Sequence, residues 1–403
     1  MRVQVRHGDC VDLMRAMPKN SVDSIVTDPP YELSFMGKAW DGAGIAYSLQ
    51  LWREALRVLK PGGHLLAFGG TRTYHRMACA IEDAGFEIRD SIHWVYGSGF
   101  PKSLNVGKQN GCEAWEGWGT ALKPAHEPVV VARKPLSGTV AGNVLVWGTG
   151  GLNIDGCRVG TDEDTGRPPG QVPTEGWRLA KRTETSEAHA QGRWPANIVL
   201  DGAAAAALDQ QSGTLAHNPP AVWKREKSGA ERTPTSYAAP TGDAGEVRGG
   251  YGDRGGASRF FTQADFGPDD WPFVYQAKPS KRERNAGLDG LPDVSGGALE
   301  GNADHANAGK IGDRPEVPVA PTKNAHPTVK PVALMRHLVR LVTPPGGTVL
   351  DPFAGSGTTL VAAVLEGFDA IGCEMTAEYL PIIEGRVEWA KQQATEPAQA
   401  KLL

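Results

Sequence analysis

Val22-Asp23-Ser24-Ile25-Val26-Thr27-Asp28-Pro29-Pro30-Tyr31 decides how this chain is read. Four of the first six residues are β-branched, which predicts a strand over Val22–Asp28, and the run then delivers a carboxylate, two prolines and an aromatic ring. Open α/β sheets carry their chemistry at the carboxyl ends of strands, so Asp28, Pro29, Pro30 and Tyr31 stand where a site is expected. Pro29 and Pro30 fix φ and remove two N–H donors, leaving a stiff turn whose carbonyl oxygens face a ligand as acceptors.

A second run lies near the other end. Thr348-Val349-Leu350 leads into Asp351-Pro352-Phe353-Ala354-Gly355-Ser356-Gly357-Thr358-Thr359, read as a strand, a glycine turn and a helix start. Such a turn lets the backbone of Phe353, Ala354, Gly355 and Gly357 approach a nucleoside closely, with hydroxyls from Ser356, Thr358 and Thr359 beside it. Asp351, at the strand end, is placed to meet an ammonium group. Glu374 follows 23 positions after Asp351, at the end of the next strand, as a carboxylate that grips ribose hydroxyls should; a helix-capping surface acid is the rival reading. A dinucleotide-binding G-x-G-x-x-G would want glycine at position 360, which is Leu360.

Around these runs, residues 1–100 and 322–403 alternate strand and helix in the α/β manner. The first half predicts strands at Val3–Val5 and His64–Phe68, the latter after a Lys60-Pro61-Gly62-Gly63 stop, with helices over Leu49–Leu59 and Thr73–Ala84. The second half predicts helix Val332–Val342, strand Thr348–Phe353, helix Thr358–Glu366, strand Asp369–Cys373 and helix Ala377–Lys391. Residues 101–321 are rich in Gly, Pro, Asn and charge, with loops expected over Thr161–Arg193, Lys224–Gly256 and Pro292–Pro318 and ordered islands at Glu127–Lys134, Asn143–Val159, Arg193–Leu200 and Arg259–Lys278. The formal net charge of −4 makes no blanket attractant for a polyanion, so any nucleic-acid contact must come from local basic clusters. The longest apolar runs are too short to span a bilayer, and the start lacks a signal-peptide core, so the chain is expected in the cytoplasm. Its five cysteines form no C-x-x-C pair, which predicts reduced thiols and no metal site.

Together the two runs resemble the S-adenosylmethionine-dependent amino methyltransferases that act on DNA. With D-P-P-Y first and the glycine turn last, the order resembles the permuted beta class of adenine-N6 and cytosine-N4 enzymes, and Gly97-Ser98-Gly99-Phe100-Pro101-Lys102-Ser103 is similar to phage and prophage members. That resemblance implies a permuted Rossmann-like α/β fold with a mixed seven-stranded sheet and an inserted target-recognition region at 101–321. It implies S-adenosyl-L-methionine as cofactor and double-stranded DNA as substrate, and it leaves room for a homodimer and a cognate restriction endonuclease. An exocyclic amine is a poor nucleophile until its lone pair is localised; Asp28 and the Pro29 carbonyl can each accept one amine hydrogen, with Tyr31 stacking on the extruded base. By the same resemblance Gly8-Asp9-Cys10 holds the cofactor adenine through Asp9, with Cys10 alongside, against a plain helix N-cap as the rival for Asp9. His326-Pro327-Thr328-Val329-Lys330-Pro331 resembles the family's H-P-T-x-K-P segment, which brings Lys330 toward the carboxylate of the cofactor.

No cysteine follows a proline, so the covalent route of five-carbon cytosine methyltransferases is not expected. D-P-P-Y is commoner among adenine enzymes, which favours adenine N6, with cytosine N4 as the alternative and an RNA or protein amino methyltransferase behind it. Candidate phosphate contacts are Arg72 and Arg76 after the third strand, Lys102 in the Gly-Ser-Gly loop, and Lys278, Lys281 and Arg282 in the densest basic cluster of the insert. Each has a solvated surface charge as its rival reading.

Overall fold

The computed structural model describes residues 1–33, 42, 44–97, 99, 101, 103–160, 170–173, 179–182, 192–213, 256–263, 280–293, 323–324 and 326–395. The first part runs β1 (Val3–His7), α1 (Cys10–Arg15), β2 (Val22–Thr27), α2 (Leu49–Val58), β3 (Leu59–Phe68), α3 (Tyr74–Asp83), β4 (Glu87–Val95), β5 (His126–Arg133) and α4 (Val140–Trp147). Next come β6 (Gly170–Pro173), β7 (Leu179–Arg182), β8 (Ile198–Leu200), α5 (Gly202–Ser212), β9 (Thr262–Gln263) and α6 (Lys281–Asn285). The last part holds α7 (Val332–Val342), β10 (Thr348–Asp351), α8 (Thr358–Leu365), β11 (Asp369–Glu374) and α9 (Leu380–Thr395).

Alternation along the strands shows why this is a sheet buried on both faces. In β3, Leu65 and Ala67 join an apolar cluster with Met14 of α1, Trp52 of α2 and Ile81 of α3. Their neighbours Leu66 and Phe68 join the opposite cluster, with Leu338 of α7, Val361 of α8 and Ile383 of α9. In β5, Val130 and Ala132 take the first side while Val129 and Val131 take the second. Each fully buried aliphatic side chain contributes about 1.5–3 kcal/mol, so helices are held on both faces by the strands' two-residue period.

Among the described residues the main sheet has nine strands, in the order β1-β11-β10-β2-β3-β5-β4-β8-β9. Strands β1, β11, β10, β2 and β3 are mutually parallel, β5 runs antiparallel to both β3 and β4, and β8 adds to β4 in parallel. The first seven in this order form the mixed sheet expected of the fold, and β8 and β9 extend its edge. The two halves of the sequence meet at its centre, where Val349 pairs with Ser24 and Leu350 with Ile25. Behind that seam the hydroxyls of Ser24 and Thr343 are 2.8 Å apart.

Three local expectations change. The Lys60-Pro61-Gly62-Gly63 stretch is a bulge inside β3 rather than a stop, since Leu59 pairs with Val22 and His64 with Ser24. Lys60 is drawn in by Asp23, whose carboxylate accepts its Nζ at 2.6 Å and the Thr348 N–H at 2.8 Å. Gly62 sits at φ +75°, where a Cβ would be 2.4 Å from Asn143 Nδ2. The closing helix begins at Leu380, after a 3₁₀ turn over Ala377–Tyr379. The expected boundary at residue 100 falls inside one compact unit, Met1–Cys157 with Asn197–Ala204 and Gln263–Leu403; Arg158–Ala196 with Ala205–Thr262 form a second unit. The reason is β5, a strand of the core sheet that falls within the expected insert.

Candidate active site

Five parallel strands end on one edge, and they carry Asp9 (after β1), Glu374 (β11), Asp351 (β10), Asp28 (after β2) and Gly69-Gly70 (after β3). The antiparallel β5 begins on that same edge, because Phe68 pairs with Val129 and the Gly69 N–H donates to Pro128 O at 2.9 Å. Glu127 is thereby delivered beside Asp28 although 99 positions separate them in sequence.

Asp28, Tyr31, Glu127 and Lys330 form one network. Lys330 Nζ donates to Asp28 Oδ2 at 2.6 Å and to Tyr31 Oη at 3.1 Å, and lies 3.4 Å from Glu127 Oε2. Tyr31 Oη donates to Glu127 Oε2 at 2.8 Å. The ammonium also rests 4.9 Å from the centre of the Phe68 ring, a cation–π contact that suits a desolvated charge. Asp28 Oδ1, by contrast, is shielded from solvent and has no hydrogen-bond partner among the described residues.

Burial pushes the Asp28 carboxyl above the usual carboxylate range, with Lys330 pulling it back and Glu127 adding to the rise. Burial by itself would lower the Lys330 ammonium, but Asp28 and Glu127 outweigh it and hold the group charged. The Tyr31 phenol is pushed well above its ordinary value by burial and by the two carboxylates, so it remains a neutral donor. Lys330, expected to approach the carboxylate of a cofactor, has its ammonium on Asp28 and beside Glu127: a buried ammonium is held where two acids repay its desolvation.

The glycine turn is held from three sides. Gly355 has φ +54° and Gly357 φ +77°, a region that favours glycine. The Gly355 N–H donates to Glu374 Oε2 at 2.7 Å, and Glu374 Oε1 accepts the Thr376 N–H at 2.7 Å, so this acid braces the turn from β11. His326 covers the turn from the front, where a Cβ on Gly355 would be 2.8 Å from its Nε2. Its imidazole is pushed down to about 3 by burial and by Lys330, Arg386 and Arg284, and it packs edge-on against Tyr379. From behind, the fully buried Arg386 of α9 donates to Ser356 O at 2.7 Å, Ser356 Oγ at 3.0 Å and Thr358 Oγ1 at 3.0 Å. Those two hydroxyls, expected beside a ligand, are buried and each accepts an N–H from Arg386.

Asp351 couples the turn to β2: its Oδ1 accepts Thr27 Oγ1 at 2.6 Å and the Phe353 N–H at 3.0 Å. Burial pushes its carboxyl up to about 6, against hydrogen bonds from Thr27, Thr359 and Phe353 that lower it. Asp9 is the N-cap of α1, its Oδ1 accepting the N–H groups of Val11 and Asp12 at 2.9 and 3.1 Å, and Gly8 N–H donates to Glu374 O at 2.9 Å. Cys10 and Cys373 are buried neighbours whose thiols burial pushes up to about 12, which leaves them inert. Phe353 and Ala354 line the turn between Asp351 and Gly355, with the Ala354 N–H donating to Cys373 O at 2.9 Å.

A sequence profile of the family described as DNA methylase (N6_N4_Mtase) matches residues 22–385. The chain belongs to that family. Among curated relatives, it is 41% identical over 71 residues to the DNA adenine methyltransferase YhdJ of Escherichia coli, which is 18% of this chain and 24% of that protein. Identity to the type II methyltransferase M.HindIII of Haemophilus influenzae is 23% over 198 residues, covering 37% of this chain and 64% of that protein. The chain thus spans from about a quarter to under two thirds of the length of these relatives. Among solved structures, the cytosine-N4-specific PvuII DNA methyltransferase aligns with a TM-score of 0.45 at 13% identity, over 96% of this chain and 86% of that one.

The basic candidates divide. Arg72 is exposed in the turn after β3, next to Thr73, whose hydroxyl donates to Tyr31 O at 2.8 Å, so it stands at the rim of the site. Arg76 is exposed on α3 with its guanidinium 4.3 Å above the Tyr47 ring. Lys281 and Arg282 open α6, which is clamped next to the Lys330 segment: Glu283 Oε1 accepts the Val332 N–H at 2.6 Å, and Arg284 donates to His326 O at 2.8 Å. Lys102 and Lys278 lie outside the described residues. Two site residues were missed from sequence, Glu127 and Arg386. Their only local signals are an acid at the start of a β-branched run and an arginine on an otherwise apolar helix face.

Proposed function

We propose that the chain transfers a methyl group from S-adenosyl-L-methionine to the exocyclic N6 of adenine in double-stranded DNA, directly and with the target base turned out of the duplex. The observation that carries the reading is Asp28 Oδ1, a solvent-shielded acceptor without a partner among the described residues, at the strand edge that also carries the glycine turn. Membership of the DNA methylase family, the D-P-P-Y run and the name of the adenine enzyme YhdJ support the same reading.

The residues present fit the cofactor. The positive-φ glycine turn and the acids Asp9, Asp351 and Glu374 on neighbouring strand ends match a ligand with an adenine, ribose hydroxyls and an ammonium. When bound, the sulfonium supplies an electrophilic methyl group. Asp351, desolvated and held near the middle of the pH scale, gains from a cation beside it; Gly355 and Gly357, at φ +54° and +77°, set the turn that would hold the nucleoside. Asp28 Oδ1 and the Pro29 carbonyl accept the two amine hydrogens, turning the nitrogen lone pair outward, while Tyr31, fixed through its hydroxyl to Glu127, offers a ring to the base. Arg72, Arg76, Lys281 and Arg282 contact phosphates on this reading, and Arg158–Ala196 with Ala205–Thr262 serve target recognition. A second copy of the chain and a restriction endonuclease of matching specificity are the protein partners to test.

Expression in a host whose DNA carries no methylated bases, followed by nucleoside mass spectrometry and modification-aware sequencing, tests the proposal. N6-methyladenine at one short motif is the expected product. N4-methylcytosine would overturn the choice of base, and unmodified DNA with methylated RNA or protein would overturn the substrate.

A further inference from the structure

The lysine that holds Asp28 has a second anion, Glu127, which the reading above uses only as an anchor for the Tyr31 hydroxyl. Glu127 is fixed by the sheet: it pairs with Trp94 across β4 and β5, one residue from Pro128, whose carbonyl is tied to Gly69. Its Oε2 accepts from Tyr31 Oη at 2.8 Å and lies 3.4 Å from Lys330 Nζ, so it touches both groups that border Asp28. The charges facing Asp28 are Lys330 from the segment before α7, Glu127 from β5 and Asp351 from β10, with the neutral Tyr31 phenol on its own turn and the uncharged Phe68 ring from β3.

We propose that Glu127 is a positioning residue for methyl transfer: through Tyr31 and Lys330 it fixes the ring and the ammonium around Asp28 and gives the cluster a net negative charge. The inference rests on the functional reading above and assigns a device to the same site. Asp28, Glu127 and Lys330 sum to one negative charge when all three are ionised. During transfer the amine lone pair forms the new N–CH₃ bond as the S–CH₃ bond breaks with its electron pair left on sulfur. The positive charge of the sulfonium thereby passes to the nitrogen, which then gives up one hydrogen as a proton to Asp28 Oδ1 and on to water. A net anion beside that nitrogen stabilises the arriving charge in a site where water cannot. With Glu127 neutral, the cluster sums to zero at the moment the charge arrives. Lys330 has the opposite duty: it keeps two buried acids from sharing a proton, which would block Asp28 as an acceptor.

The two groups pull Asp28 in opposite directions, and that gives the test. Asp28 titration is followed by ¹³C NMR of carboxyl-labelled aspartate in the full chain, without donor or DNA, the resonance being assigned by its loss in Asp28→Asn. Single-turnover methylation of DNA is measured alongside against pH. Glu127→Gln is expected to lower the Asp28 midpoint and to slow transfer roughly tenfold or more, with KM for the cofactor unchanged. Lys330→Met is expected to raise the midpoint and move the acid limb of the rate upward; Lys330→Gln replaces it if the methionine variant does not fold. Glu127→Asp, which keeps the charge, is expected to keep the midpoint near that of the wild type. Midpoints that move together in the Gln and Met variants, or transfer by Glu127→Gln within twofold of the wild type, would overturn the proposal. A wild-type chain that methylates no DNA would instead overturn the functional reading, and the NMR midpoints would still decide the charge balance.

Discussion

Replacing Asp351 with asparagine should make the protein's stability depend less on pH. Asp351 is 2% exposed, and burial lifts its carboxyl from an ordinary 3.8 to about 6. At about 1.4 kcal/mol per unit, ionising it in the folded chain costs roughly 3 kcal/mol at neutral pH relative to the unfolded chain. The sign follows from proton counting. Between about pH 4 and 6 the folded state holds the proton more tightly, so stability falls as pH rises through this window and then levels off. Asparagine cannot ionise and escapes this penalty. From pH 5 to 7 the stability of Asp351→Asn relative to the wild type should therefore rise by roughly 1–1.5 kcal/mol, whatever constant offset the lost contacts to Thr27 and Phe353 impose. Urea unfolding of both proteins across this range, with equal m-values as the control, measures the difference. A relative stability that is flat across the window, or falls, would show that Asp351 is not a strained carboxylate and would remove the physical reason for a cation beside it.

Other expected outcomes follow from the same contacts. Gly355→Ala combines φ +54° with a Cβ 2.8 Å from His326 Nε2, so it should cost about 1–3 kcal/mol in thermal or urea unfolding and weaken cofactor binding in calorimetry. Arg386→Met strips the partner from three buried acceptors in Ser356 and Thr358 and should cost roughly 2–4 kcal/mol in urea unfolding; a loss under 0.5 kcal/mol would refute its bracing role. Trp52 is fully buried with its Nε1 donating to Ala46 O at 2.9 Å, and Trp52→Ala should cost about 3–5 kcal/mol by the same assay.

The parts of the site legible in sequence are those made by short-range pattern. D-P-P-Y after a β-branched run and G-S-G-T-T after Thr348-Val349-Leu350 each announce a strand end and its turn within ten residues; the strands end at Thr27 and Asp351, one and two residues before the expected Asp28 and Phe353. What was not legible depends on strand order. Glu127 becomes a site residue only because β5 enters antiparallel beside β3, and Lys330 meets Asp28 across 302 positions of sequence. The hydroxyls of Ser356 and Thr358 read as ligand contacts because a helix start normally shows them outward; their bonds to a buried arginine two turns into α9 have no local signal. Within β3, a Pro-Gly-Gly stretch that usually stops a strand survives as a bulge because Asp23 anchors Lys60 there.

The measurement closest to the central claim is single-turnover transfer of labelled methyl to DNA by the wild type and Asp28→Ala, with donor binding measured on the same samples. The expected result is donor affinity within about twofold of the wild type and transfer slower by at least roughly a hundredfold, because the dry acceptor Oδ1 is gone while the glycine turn is intact. Near-normal transfer by Asp28→Ala, with donor bound as tightly, would contradict it.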